Sequence, residues 1–131
     1  MCAVAEIRQA MRQFKDVSGF EPPILTAEIG YALARAGKRQ EAEREIDRLK
    51  EEAKTAYVDP YLISLIYLGL SDEPLTLRWL DKAYRVRSPF LISIPTEPKW
   101  KEMLERPELQ SFVAKLIPQA QADLPDSPGQ D

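Results

Sequence analysis

The stretch Asp59-Pro60-Tyr61-Leu62-Ile63-Ser64-Leu65-Ile66-Tyr67-Leu68-Gly69-Leu70-Ser71-Asp72 decides the fold. Asp59-Pro60 is a helix start: an Asp carboxylate can accept orphan N–H groups, and Pro fits the first helical position. From Pro60 to Leu70 the segment is apolar on nearly every side, and a helix of that kind is enclosed by neighbours. Leu65 and Ile66 are therefore expected deep in the core. Ser71-Asp72 punctuates the end and caps a following helix to about Arg87, with Leu75, Trp79, Leu80, Ala83 and Tyr84 as its buried candidates.

Reading toward the N-terminus, the same pattern occurs 34 residues earlier. Ile29, Leu33, Ala42, Ile46 and Leu49 match Ile63, Tyr67, Thr76, Leu80 and Ala83, while Gly30 matches Ser64 and Gly37 matches Ser71. The spacing predicts a helix over Pro23 to Ala36, ended by Gly37, and another from Arg39 to about Tyr57. The latter carries a narrow stripe of Ala42, Ile46, Leu49 and Ala53. Its remaining surface is charged, with opposite signs at i,i+3 in Glu41/Arg44, Glu45/Arg48, Asp47/Lys50 and Glu51/Lys54, which reads as a solvated face. Arg78, Lys82, Arg85 and Arg87, with Asp81 among them, read the same way. Small residues at Gly30/Ser64 and Ala42/Thr76 are expected to let the two helices of each pair approach closely.

Outside this core, Ala3 to Phe14 places Val4, Ile7, Met11 and Phe14 on one helical face. Ser18-Gly19 and Pro22-Pro23 break the chain before the next helix. Toward the C-terminus, Ser88-Pro89 opens a short turn or helix, Phe90 to Ile94. Thr96-Glu97-Pro98 opens another to about Glu105, carrying Trp100, Met103 and Leu104. Pro107 begins a last helix with Leu109, Phe112, Val113 and Leu116 on one face. Residues 118–131 are polar and Pro-rich and are expected to form a disordered tail. The fold class expected is all-α, with a helical repeat domain over residues 1–117.

A 34-residue period with small–large–small spacing resembles the tetratricopeptide repeat (TPR) family. The resemblance covers roughly residues 3–117, as half a repeat, two repeats and a closing segment. Trp79-Leu80-Asp81-Lys82-Ala83-Tyr84, Pro98 with Trp100, and Pro107, Gln110 and Phe112 resemble the end of TPR arrays in bacterial cyclase-like and transcription-activator proteins. Three departures stand out. Thr26 and Pro60 replace the aromatic that usually begins the first helix of a unit, and Thr76 replaces an Ala. Ala3 and Ala42 lie 39 positions apart where the period would give 34. The same stripes also fit a plain helical bundle.

The resemblance implies a right-handed α-α superhelix whose first helices line a concave groove. The groove positions would be Ile24, Ala27, Tyr31, Ala34 and Arg35, then Tyr61, Leu65 and Leu68. This surface is apolar and aromatic, and the chain has no Asn for the family's carboxylate clamp. The expected function is a protein–protein interaction module for a peptide or protein, such as an amphipathic helix. The same residues would equally serve to pack against the chain's own C-terminal helices through Trp100 and Phe112. The alternative from another class is an oligomerisation segment of a larger bacterial regulator. Val4, Ile7, Met11 and Phe14 would also leave an open apolar end of the array, to be covered by an upstream repeat or a second copy, and a homodimer is expected.

Composition narrows the chemistry. The 131 residues hold no His and one Cys, Cys2. An internal disulfide, a Cys/His zinc site and a His-assisted nucleophile therefore lack their residues. Phosphate-binding and nucleophile-elbow motifs are absent: Gly37-Lys38 continues into Arg39, and Ser71 sits in Gly69-Leu70-Ser71-Asp72. Carboxylates remain, but Glu41, Glu43, Glu45, Asp47, Glu51 and Glu52 interleave with bases, so a carboxylate-only hydrolase is the least supported reading. No catalytic residue, cofactor or metal is expected. Eighteen basic and 21 acidic residues give a net charge of −3, against the basic stripe nucleic acid demands. No apolar run approaches the ~20 residues that span a membrane, and Met1 to Glu6 shows no leader pattern. A cytoplasmic setting is expected.

Overall fold

The computed structural model describes Gln9 and residues 22–123, with side chains described from 22 to 116. The described residues are helical without a strand. They divide into two compact units, one ending at Ser88 and one beginning at Pro89. One repeat domain over residues 1–117 is the expectation from sequence; the division falls where Pro89 cannot donate a helical N–H bond. The expected helix over Ala3 to Phe14, with Val4, Ile7, Met11 and Phe14, lies outside the described residues apart from Gln9.

The first unit holds α1 (Pro23–Arg35), α2 (Arg39–Glu52), α3 (Pro60–Gly69) and α4 (Glu73–Arg85). Local chemistry sets these bounds. Pro23 and Pro60 occupy first helical positions. The Asp59 carboxylate accepts from the Tyr61 N–H at 2.9 Å, and the Asp72 carboxylate from the Leu75 N–H at 3.1 Å. Both satisfy donors that a helix start leaves open.

Three helix ends close in the same way. Gly37 (φ 83°), Ser71 (φ 60°) and Arg87 (φ 56°) adopt the left-handed conformation. Each donates its N–H three residues back, to Ala34, Leu68 and Tyr84. The following residues, Lys38, Asp72 and Ser88, donate five back, to Leu33, Tyr67 and Ala83. This paired bonding is the Schellman motif. Gly37 adopts its φ freely, whereas Ser71 and Arg87 carry a Cβ into it at some cost.

The 34-residue spacing appears in the element bounds: α1 and α3 end at Arg35 and Gly69, and α2 and α4 begin at Arg39 and Glu73. Short links over 36–38 and 70–72 join packed neighbours, so each pair is antiparallel. α1 packs on α2 and α3, and α3 packs on α4. Leu33, Leu49, Ile63, Ile66 and Leu80 fill the interior, fully buried. Leu65 and Ile66 are buried as expected.

Four details differ from the sequence expectations. α2 ends at Glu52 rather than near Tyr57, and Ala53, assigned to its stripe, is exposed. The Thr55 hydroxyl donates to the Glu52 carbonyl at 3.4 Å, a side-chain bond that competes with helix continuation. Gly30 lies between two helices: a Cβ there would stand 2.7 Å from Ile66 Cγ1 on α3 and 3.2 Å from Glu45 Cβ on α2. Its tightest approach is to the neighbouring pair, not to its own partner. In α4, Leu75, Trp79 and Tyr84 are half-buried, and only Thr76, Leu80 and Ala83 are fully covered.

The second unit has 3-10 turns at Pro89–Ser93, Pro98–Trp100 and Met103–Glu105, then α5 (Pro107–Asp123). Leu91, Ile94, Trp100, Met103, Leu109, Phe112 and Leu116 are buried. Gln110 Nε2 donates to the Leu104 carbonyl at 3.1 Å and ties α5 to the turn before it. α5 runs past Pro118, where a disordered tail is expected from the sequence, and ends at Asp123. Residues 124–131 lie outside the described residues.

Candidate interaction surfaces

The groove positions separate into two groups. On α1, Ala27 and Ala34 are buried, Tyr31 is half-buried, and Ile24 and Arg35 are exposed. On α3, Tyr61 and Leu65 are only 6% and 2% exposed, while Leu68 is half-buried. Tyr61 and Leu65 therefore line no open groove. The cause lies partly in how closely α1 and α3 meet. A Cβ on Gly69 would stand 2.9 Å from Ala34 Cβ and 3.0 Å from the Tyr31 carbonyl oxygen. At that separation the inner positions of both helices become interior. Ile24, Tyr31, Arg35 and Leu68 remain as the accessible face. Gly69 is a determinant that the repeat alignment misses, because its partner 34 residues earlier is Arg35.

A second surface lies along α2, the end of α3 and α4. A half-open cleft of about 280 Å3 is bordered by Arg39, Glu43 and Asp47 on α2, Tyr67 on α3, Leu70 just after it, and Leu75 on α4. Arg39 holds one rim, pairing with Glu43 at 3.6 Å and donating to the Leu70 carbonyl at 3.4 Å. Beyond the cleft, Lys50 Nζ donates to the Tyr67 hydroxyl at 3.2 Å. It also lies 5.7 Å from the Tyr67 ring centroid and 5.5 Å from that of Trp79. Lys82 Nζ lies 4.0 Å from the same Trp79 centroid. Ammonium groups at these distances are attracted by the ring faces.

Two expected pairings are corrected. Glu45–Arg48 and Glu51–Lys54 form at 3.2 and 3.0 Å, but Glu41 pairs with Lys38 at 3.9 Å rather than with Arg44, and Lys50 turns to Tyr67 and Trp79 rather than to Asp47. The i,i+3 rule sees only one helix, and Trp79 belongs to another. The Trp79/Lys82 half of the cluster was visible as an i,i+3 pair on α4; the Lys50 half depends on the tertiary packing.

At the start of α3, Asp59 is buried, and its second carboxylate oxygen accepts from the Ser88 hydroxyl at 2.7 Å. The nearby Tyr57 phenol has a raised pKa, through desolvation first and the Asp59 charge second. It stays protonated at neutral pH. Among the described residues, no group of three His, Cys, Asp or Glu could hold a metal ion, and no helix is long and apolar enough to cross a membrane. Comparison of the chain with protein-family models, with curated proteins and with solved structures gave no match.

Proposed function

We propose that the chain is a TPR-like interaction module that binds a protein or peptide partner along the accessible edge of α1 and α3. The observation that carries the reading is the 34-residue recurrence of helix bounds and left-handed ends at Gly37 and Ser71. Stacked helix pairs of this period bury their apolar faces on neighbours and leave an extended surface for partners. The contact set is narrower than the sequence implies: Ile24, Tyr31, Arg35 and Leu68, with Tyr61 and Leu65 supporting them from inside. The mixture of an aliphatic, an aromatic and an arginine side chain suits an amphipathic helix, whose apolar stripe meets Ile24 and Leu68 while an acid meets Arg35. A photo-crosslinking residue at position 31, in cells, tests this. A discrete adduct at 31 that is absent with the crosslinker at the exposed position 40 supports the reading. Equal or absent adducts at both positions count against it.

A further inference from the structure

The geometry points to a second docking surface, on α2 and α4, that takes a helical protein segment with an acidic residue at one end, apolar residues in its middle and a basic residue at the other. Lys50 and Lys82 approach one indole, at 5.5 and 4.0 Å from its centroid. Among the described residues, neither makes an ion pair within 4.0 Å; their contacts are the Tyr67 hydroxyl and the two rings. Three other bases on the same helices engage acids: Arg39 with Glu43, Arg48 with Glu45 and Arg85 with Asp81. An ammonium has three donors. Lys50 spends one on Tyr67, and the ring face occupied by Lys82 accepts no conventional hydrogen bond. A carboxylate arriving from solvent would therefore find two ammonium groups with donors to spare over a half-buried Trp79.

The neighbouring cleft supplies the rest of the pattern. Its accessible apolar lining is half-buried Leu75, one turn from Trp79, and half-buried Tyr67, completed by the buried Ile46 and Leu70. Its far end carries Glu43 and Asp72, against the one guanidinium of Arg39, while Asp47 stands one helical turn from Lys50. That end favours a base on the ligand. It also disfavours a uniformly anionic partner such as a nucleic acid, whose phosphates would meet the acids within a Debye length of the lysines. Charge complementarity thus commits the surface to a segment reading acid, apolar, base. It is separate from the α1–α3 edge.

The test uses the full 15N-labelled chain and a synthetic helical peptide with glutamates at one end, leucines in the middle and lysines at the other. The Trp79 indole N–H resonance reports binding, and that of the buried Trp100 serves as reference. The peptide should shift Trp79 saturably and Trp100 little. Replacing its glutamates by glutamine should weaken binding about fivefold, as two exposed ion pairs imply. Lys50→Gln with Lys82→Gln should weaken it similarly, and the glutamine peptide should then lose little more, since one interaction cannot be removed twice. Both lysines are exposed, so the variant should stay folded and lose only the few degrees that their ring contacts contribute. Equal affinity for both peptides, unchanged affinity in the lysine variant, or tighter binding of duplex DNA or anionic vesicles than of the peptide would overturn the proposal.

Discussion

The Ser88 hydroxyl donates to Asp59 at 2.7 Å, joining the start of α3 to the end of α4 across 29 residues of sequence. Both side chains are buried, 5% and 7% exposed. The same carboxylate caps α3 through the Tyr61 N–H, so one side chain fixes where α3 begins and where the first unit stops. Ser88→Ala leaves a buried carboxylate oxygen without this donor and should cost about 1–3 kcal/mol. Asp59→Ala also removes the cap and should cost about 1 kcal/mol more. Urea denaturation of both variants and the double variant checks this. A double variant no worse than Asp59→Ala alone confirms the coupling; additive losses contradict it.

Gly30 sets how closely α1 approaches α3. A Cβ there would meet Ile66 Cδ1 and stand 2.7 Å from Cγ1, and Ile66 is fully buried. Gly30→Ala should therefore destabilise the chain by about 1–3 kcal/mol through overpacking, despite the better helix propensity of Ala. Ile66→Val, which removes Cδ1, should recover part of that loss when combined with it. Thermal melts giving a Gly30→Ala variant as stable as the parent would show that the helices are further apart than described.

Ser71 holds a conformation that suits glycine, at the position where the preceding pair has Gly37. Relief of the left-handed strain exceeds the added entropy of the unfolded chain, so Ser71→Gly should stabilise by about 0.5–1 kcal/mol. The exposed side chain at 71 gives the substitution little else to disturb. A loss of stability in chemical denaturation would contradict the Schellman geometry at this end.

Where the sequence was informative, it was so through local chemistry. Asp59-Pro60, Asp72 and Gly37 fix helix ends by rules that need no tertiary contact, and the 34-residue period follows from them. Arg87 was not legible as a left-handed end, because nothing in its side chain announces that backbone. The accessible edge was only partly legible. Ile24 and Arg35 reach the surface as the repeat implies, but Tyr61 and Leu65 do not, because their burial depends on how closely α1 and α3 meet. Gly69 governs that distance together with Gly30, and the neighbours of Gly69, Tyr31 and Ala34, lie more than 30 positions away in the chain. The Lys50–Trp79 contact was invisible for the same reason.

The central claim is that Ile24 and Leu68 belong to a partner-binding edge. Ile24 is 43% exposed and Leu68 half-buried, so a charge at both sites should leave the fold intact. The decisive measurement is calorimetric titration of the partner recovered by crosslinking at position 31 into the parent chain and into Ile24→Glu with Leu68→Glu. The account predicts at least a tenfold loss of affinity, about 1.4 kcal/mol, with the melting temperature unchanged. Affinity equal to that of the parent, at an equal melting temperature, would contradict it.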